Sequence, residues 1–244
     1  MDQNIIMYCP PAYLTESNSS KKRFELFDLV DTRFLCSPQY TIEAQSLQNA
    51  LNRQGYALDN GAYLDYIKEK PFDDDRYIRF LHRYISGADW VVLPDVVCNK
   101  SETLEKSYKY IDIIREIRAD VKMLIVWQDG MTPEDIRPFL LMGIGVFVGG
   151  STEGKLSNVN WIAEECRRYN VWCHVGRINT LIRLEKMYNA GVNSFDGSGL
   201  VRFLPSLELL ACRIKSERLQ LHLFDNKKMN QELITQWIKT EEKT

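Results

Sequence analysis

The chain has 244 residues, 45% of them hydrophobic and 11% aromatic, enough to bury a full core in one barrel-sized domain or two small ones. Its 31 Lys and Arg stand against 33 Asp and Glu, so overall charge demands no nucleic-acid partner, and any such binding needs a local basic face. The 6 Cys, at 9, 36, 98, 166, 173 and 212, form no Cys-x-x-Cys pair and are dispersed through apolar segments, which reads as free buried thiols in a reducing compartment. The apolar run at 5–8 is too short for a signal peptide or a membrane span, so a soluble cytoplasmic protein is expected.

Residues 4–9 are apolar and β-rich and stop at Pro10-Pro11, which predicts a first strand. A polar loop at 14–24 carries Lys21-Lys22-Arg23, and a second short strand is expected at 33–36. Ile42, Leu47 and Leu51 give 41–54 helical spacing. Residues 55–58 lead into Asp59-Asn-Gly-Ala-Tyr63. Asp-Asn-Gly suits a tight turn, but no alternating strand follows, so a strand-to-loop turn carrying a working Asp fits better than a hairpin.

A helix is predicted over 74–85 with Tyr77, Phe80, Leu81 and Tyr84 inward. The continuous apolar run 90–93 reads as a strand covered on both faces, ending at Pro94-Asp95. A helix over 102–117 and a strand over 123–127 follow, the latter ending in Gln128-Asp129-Gly130. Thr132-Pro-Glu-Asp135 has the form of a helix start. Then come a strand at 146–148, Gly149-Gly150-Ser151, a helix over 160–170, a strand at 171–175, and a helix over 181–190 closed by Gly191. The last strand, in Asn193-Ser-Phe-Asp-Gly-Ser-Gly199, ends at Asp196, and the small residues after it are expected to let a substrate approach. Amphipathic helices at 205–221 and 231–240 close or cover the barrel, and Trp237 offers either a homodimer face or a packing contact.

About eight strands alternating with helices predict a (β/α)8 barrel as a single domain over 1–244, with a C-terminal helical segment. No Gly-x-Gly-x-x-Gly follows the first strand, which argues against a dinucleotide fold.

Barrel enzymes place their chemistry at the C-terminal strand ends, where Asp59, Asp95, Gln128, Gly149, Gly150, Gly176 and Asp196 are expected to gather. Two carboxylates facing one pocket are the equipment for cleaving a glycosidic bond: one attacks the anomeric carbon or stabilises an oxocarbenium-like transition state, the other handles protons. A third carboxylate beside a Gln and glycine amides suits the edge of a polar base. Lys21, Lys22, Arg23, Arg177, Arg202 and Arg213 could grip phosphates, and Arg177 and Arg202 lie just past strand ends. Tyr63 could stack on a base or pack in the ordinary way. His174, inside an apolar strand, reads as a hydrogen-bonded core histidine. An isomerase or aldolase would want a strand-end Lys or a metal cluster, whereas Lys155 reads as a loop residue and Lys122 precedes its strand; Gly149-Gly150-Ser151 would still suit a phosphate. A non-catalytic nucleic-acid-binding barrel is the alternative from another class.

Residues 56–200 resemble the tRNA-guanine transglycosylases and their relatives that insert 7-deazaguanines into DNA. Asp59-Asn-Gly-Ala-Tyr63 is similar to the family's Asp-Ser-Gly-Gly-Phe segment, which implies acid/base work for Asp59. The resemblance implies base reading by Asp95 and Gln128, backbone contact with the base at Gly149 and Gly150, and a pocket wall at Val175 and Gly176. It gives Asp196 the role of nucleophile in a covalent glycosyl intermediate. Only Cys212 and His222 follow Asp196, which leaves no ligand set for the zinc site of the tRNA-acting members. The departure points to DNA and a free 7-deazaguanine base as substrates, as in the phage-type DNA transglycosylases, with tRNA the lesser expectation and no cofactor. Hydrolysis of the same bond, by a DNA glycosylase, is the alternative outcome.

Overall fold

The computed structural model describes residues 5–11, 25–39 and 55–218. Eight parallel strands form a closed barrel in chain order: β1 (Ile6–Cys9), β2 (Thr32–Cys36), β3 (Tyr56–Leu58), β4 (Ala88–Val92), β5 (Met123–Trp127), β6 (Gly145–Val148), β7 (Cys173–Val175) and β8 (Ser194–Asp196). β8 closes on β1 with Ile6 opposite Ser194 and Tyr8 opposite Asp196. Each of the eight expected strands is present, within about two residues of its expected bounds. The expectations at 14–24, 41–54 and 231–240, with Lys21, Lys22, Arg23, His222 and Trp237, lie outside the described residues. Arg213 lies in the helix Leu204–Arg218.

The strands are short and mostly apolar on both faces because both faces are covered. One face of each points into the barrel, where Tyr8, Ala57, Trp90, Val92, Leu124 and Val126 pack with Phe147 and Trp172. The other face, including Met7, Phe34, Leu58, Val91, Ile125, Val175 and Phe195, packs against the helices. Aromatic rings plug the interior, with centroids 5.0 Å apart for Tyr8 and Trp90 and 4.7 Å apart for Trp90 and His174. A filled interior leaves chemistry only at the rim.

Helix starts are set by side-chain caps on orphan backbone donors. Asp73 accepts from Arg76 N at 2.9 Å ahead of Asp74–Tyr84, and Asn99 accepts from Glu102 N at 3.1 Å ahead of Lys100–Ile117. Ahead of Pro133–Leu141, Thr132 donates from N and Oγ1 to Asp135 Oδ2 at 2.7 and 3.0 Å, which ties the helix start to its first turn. Tyr77, Phe80, Leu81 and Tyr84 are all buried, as the helical spacing predicts.

Four features correct the sequence reading. The helix expected over 160–170 is Thr152–Arg168, so Lys155 is a helical residue and not a loop residue. Its start is masked by Gly154, which is glycine because the Asp129 carboxylate occupies the place of a side chain, while Asp129 Oδ2 accepts from Ser151 N at 2.8 Å. A short helix, Ala62–Ile67, replaces the loop expected after Asp59. Another, Ser198–Arg202, precedes Leu204–Arg218. Of the six thiols, Cys98 and Cys212 are exposed while the other four are buried, and all are free. Among the described residues no helix is long and apolar enough to cross a membrane.

The two glycines after Asp196 are packed against the segment at Ile178 and Asn179, so their lack of bulk has a packing cause. A Cβ on Gly197 would land on the carbonyl oxygen of Ile178, and one on Gly199 would sit 2.8 Å from Asn179 Cβ. Gly197 has φ 172, so the constraint is steric and not conformational. Gly197→Ala is expected to cost about 1–3 kcal/mol by forcing these segments apart. A thermal or urea melt indistinguishable from wild type would contradict that packing.

Candidate active site

Asp59 follows β3 directly, and its N–H donates to Cys36 O at 2.7 Å, continuing the sheet ladder to the rim. Gly61 turns the chain at φ 78 and donates to Asp59 Oδ2 at 3.3 Å. Gln39 fills the space beside Gly61 and donates to its carbonyl at 2.8 Å.

The residue between them, Asn60, is the functional neighbour that sequence reasoning missed. It is buried, and its amide donates to Leu93 O at 2.8 Å and to Asp95 Oδ1 at 2.7 Å. Its own oxygen accepts from Ala62 N at 2.8 Å. Gln128 donates to the other oxygen of Asp95 at 2.7 Å and accepts from Cys98 N at 3.4 Å. Asp95 is therefore fixed between two amide donors. Burial pushes its carboxyl up to about 6, against the opposing pull of those two bonds.

Asp196, at the end of β8, is held from two sides. Arg177 N donates to Oδ1 at 3.0 Å, and His174 Nε2 lies 3.0 Å from Oδ2. Behind it, His174 Nδ1 meets Ser194 Oγ at 2.8 Å, and Trp172 Nε1 donates to the same oxygen at 2.8 Å. His174 is fully buried, and burial holds its pKa below the usual histidine value, so the ring is neutral at pH 7. An ionised Asp196 only accepts, so Nε2 carries the proton and Ser194 donates its own to Nδ1. The chain Trp172 to Ser194 to His174 to Asp196 thus runs as successive donors. His174 is the bonded core histidine the sequence suggests, and in addition it orients Asp196.

Asp59 completes the set. Burial first, then the negative charges of Asp95 and Asp196, push its carboxyl up to about 7, against the bonds from the backbone of Gly61 and Asn60. The three carboxylates expected together therefore share one rim, and the charges of Asp95 and Asp196 both bear on Asp59.

The other expected residues divide. Gly176 borders Asp196: a Cβ there would lie 3.4 Å from Asp196 Oδ2 and 2.7 Å from Phe147 Cε1. Val175 is buried among the helix-facing core residues, so its side chain belongs to that layer and Gly176 is the pocket side of the step. Gly149 N is spent on Trp127 O at 3.0 Å in the sheet ladder and not held out for a base. Gly150, at φ 70, offers its carbonyl to Arg177 Nη2 at 2.5 Å. Tyr63 is 43% exposed with the Arg177 guanidinium 4.4 Å from its ring centroid. Arg202 is exposed at the end of Ser198–Arg202. Lys155, which sequence reasoning set aside, is buried and donates to Gly176 O at 2.6 Å. Burial and the nearby Arg177 bring its amine down to about 8, against the pull of Asp196. Among the described residues, no group of three or more His, Cys, Asp and Glu is placed to hold a metal ion.

No protein-family model matches the chain, and no curated protein matches it in sequence. Solved structures do match it in fold. The chain aligns with QR15, an aldolase, at a TM-score of 0.57 and 14% identity, over 91% of this chain and 100% of that one. It aligns with KGPDC from Streptococcus mutans at 0.54 and 15% identity, over 91% and 100%. It aligns with a chain of the tryptophan synthase complex of Pyrococcus furiosus at 0.52 and 16% identity, over 90% and 99%. The protein is a (β/α)8 barrel, and at these identities the likeness defines the fold alone.

Proposed function

We propose that this barrel is a glycosyl-transferring enzyme that exchanges guanine in DNA for a free 7-deazaguanine base, with Asp196 as nucleophile and Asp59 as proton carrier. The three solved barrels above are not transglycosylases, so the reading rests on the site. The observation that carries it is geometric: Asp59 and Asp196 end strands on one rim, with the two Asp196 oxygens oriented by His174 and Arg177 N, and burial favours a protonated Asp59 beside it. Two carboxyl groups in separate roles on one rim suit glycosyl transfer.

In the first step the target nucleotide is flipped into the pocket, because its C1′ bond is inaccessible in a stacked duplex. An Asp196 oxygen bonds to C1′, the C1′–N9 bond breaks, and the departing guanine takes the proton of Asp59. In the second step Asp59, now ionised, removes the N9 proton of the incoming base. N9 then bonds to C1′ and the Asp196 ester bond breaks. Asp95, fixed by Asn60 and Gln128, faces the polar edge of the base. The enzyme acts on DNA in the cytoplasm, of the host cell if a phage encodes it.

A Schiff-base aldolase on the same barrel would need Lys155, but that amine is committed to Gly176 O and only 2% of the residue is exposed. Hydrolysis by water at the same ester is the variant outcome of this chemistry.

Covalent trapping tests the reading. Guanine-containing DNA without an added base should give a denaturation-stable adduct on the peptide containing Asp196, discharged by 7-deazaguanine. Guanine release with no adduct would mean direct displacement by water. The two half-reactions should also differ in pH dependence. Single-turnover guanine release needs protonated Asp59, so it should fall as pH rises through about 7. Base insertion needs the ionised form and should fall as pH drops through the same region. Two flat profiles would remove Asp59 from the proton transfers.

A further inference from the structure

β3 and β7 stand four strands apart in a ring of eight, so they face each other across the barrel mouth. Arg177 follows β7 and Tyr63 follows β3, yet the guanidinium lies 4.4 Å from the Tyr63 ring centroid. The arginine and tyrosine side chains therefore meet over the mouth. The same guanidinium donates from Nη2 to Gly150 O at 2.5 Å, beyond the end of β6. Its own N–H holds Asp196 at 3.0 Å. Arg177 achieves both with φ 61, a left-handed conformation that an arginine adopts only when the surroundings impose it.

The guanidinium is held by contacts that an anion outcompetes. A guanidinium on an aromatic face and one neutral carbonyl is partly satisfied; a phosphodiester offers charge-assisted, bidentate bonds. A free purine-like base offers the guanidinium no comparable partner and must compete with it for the Tyr63 ring. We propose that Arg177 is a specificity-determining residue: it covers Tyr63 in the free enzyme, moves onto a phosphate of the bound strand, and thereby opens the ring to a base only when a polynucleotide is present. This rests on the base-exchange reading of the same site.

Arg177→Gly removes the side chain, keeps the N–H that holds Asp196, and suits the left-handed backbone. Its affinity for a guanine-containing single-stranded DNA should fall roughly tenfold, with the log–log salt slope reduced by about one. Its affinity for 7-deazaguanine alone should rise several-fold, because the competing conformer is gone. Arg177→Lys, which keeps the charge without the planar stack, should hold most of the salt slope and share the gain in base affinity. In wild type, oligothymidine should move the Nε–H resonance of Arg177, which the Tyr63 ring current shifts; this readout needs no base chemistry. Unchanged affinities in Arg177→Gly, loss of both affinities, or a resonance indifferent to oligothymidine would each overturn the proposal. Guanine release that persists in those cases leaves base exchange standing. The predicted opposite shifts without any guanine release would sink base exchange and leave the role of Arg177 intact.

Discussion

Asp196→Ala abolishes base exchange in this account, with turnover lowered by on the order of 10^4-fold or more. The size follows from the chemistry. Without the carboxylate there is no atom to accept C1′, and what remains is a pocket that binds and orients. The variant should still fold, because Asp196 is partly exposed and its removal leaves His174 bonded to Ser194. Nucleic-acid binding should persist for the same reason. Single-turnover guanine release from labelled DNA, with binding measured in parallel, checks both halves. A loss smaller than about tenfold would show that another group attacks C1′.

Asp59→Asn should have the second-largest effect, and in two directions at once. Amides do not shuttle the proton, so both half-reactions should slow by about 10^2–10^4-fold. Stability should move the other way. Asp59 titrates near 7 in the folded protein and near about 3.9 in an unfolded chain. Between those values the native state holds more protons than the unfolded state, so stability falls as pH rises through this window. The loss is complete above about 7 and absent below about 4. Asn carries no charge to bury, and its oxygen still accepts from Gly61. The variant should therefore melt higher than wild type at pH 8, with the difference shrinking as pH falls toward 4. Equal melting temperatures at pH 8 would mean that Asp59 is not held in a strained charge state.

Much of the barrel was legible because parallel strands covered on both faces are continuous apolar runs, and Ile125 in β5 and Val91 in β4 leave no other reading. The carboxylates were legible because each ends such a run. What was not legible depends on contacts between segments distant in sequence. Asn60 looked like a turn residue, since Asp-Asn-Gly is a turn signal whether or not its Asn reaches Asp95, 35 residues away. His174 was placed in the core correctly, but its bond to Asp196 requires the register of β7 on β8. Gly154 hid the start of its helix, because only the approach of Asp129 explains a glycine there. Gly197 and Gly199 looked like open space, and the fold fills that space with Ile178 and Asn179. Small residues beside a candidate nucleophile are ambiguous for this reason: absence of bulk serves a substrate and a packed backbone equally well.

Base exchange is measured most directly with DNA and tRNA carrying labelled guanine, each incubated with the protein with and without 7-deazaguanine. Label should be released from DNA when the base is present, and the base should be recovered in the polymer. Release from neither polymer, by wild type and Asp196→Ala alike, would contradict it and return the molecule to a barrel whose three rim carboxylates serve another reaction.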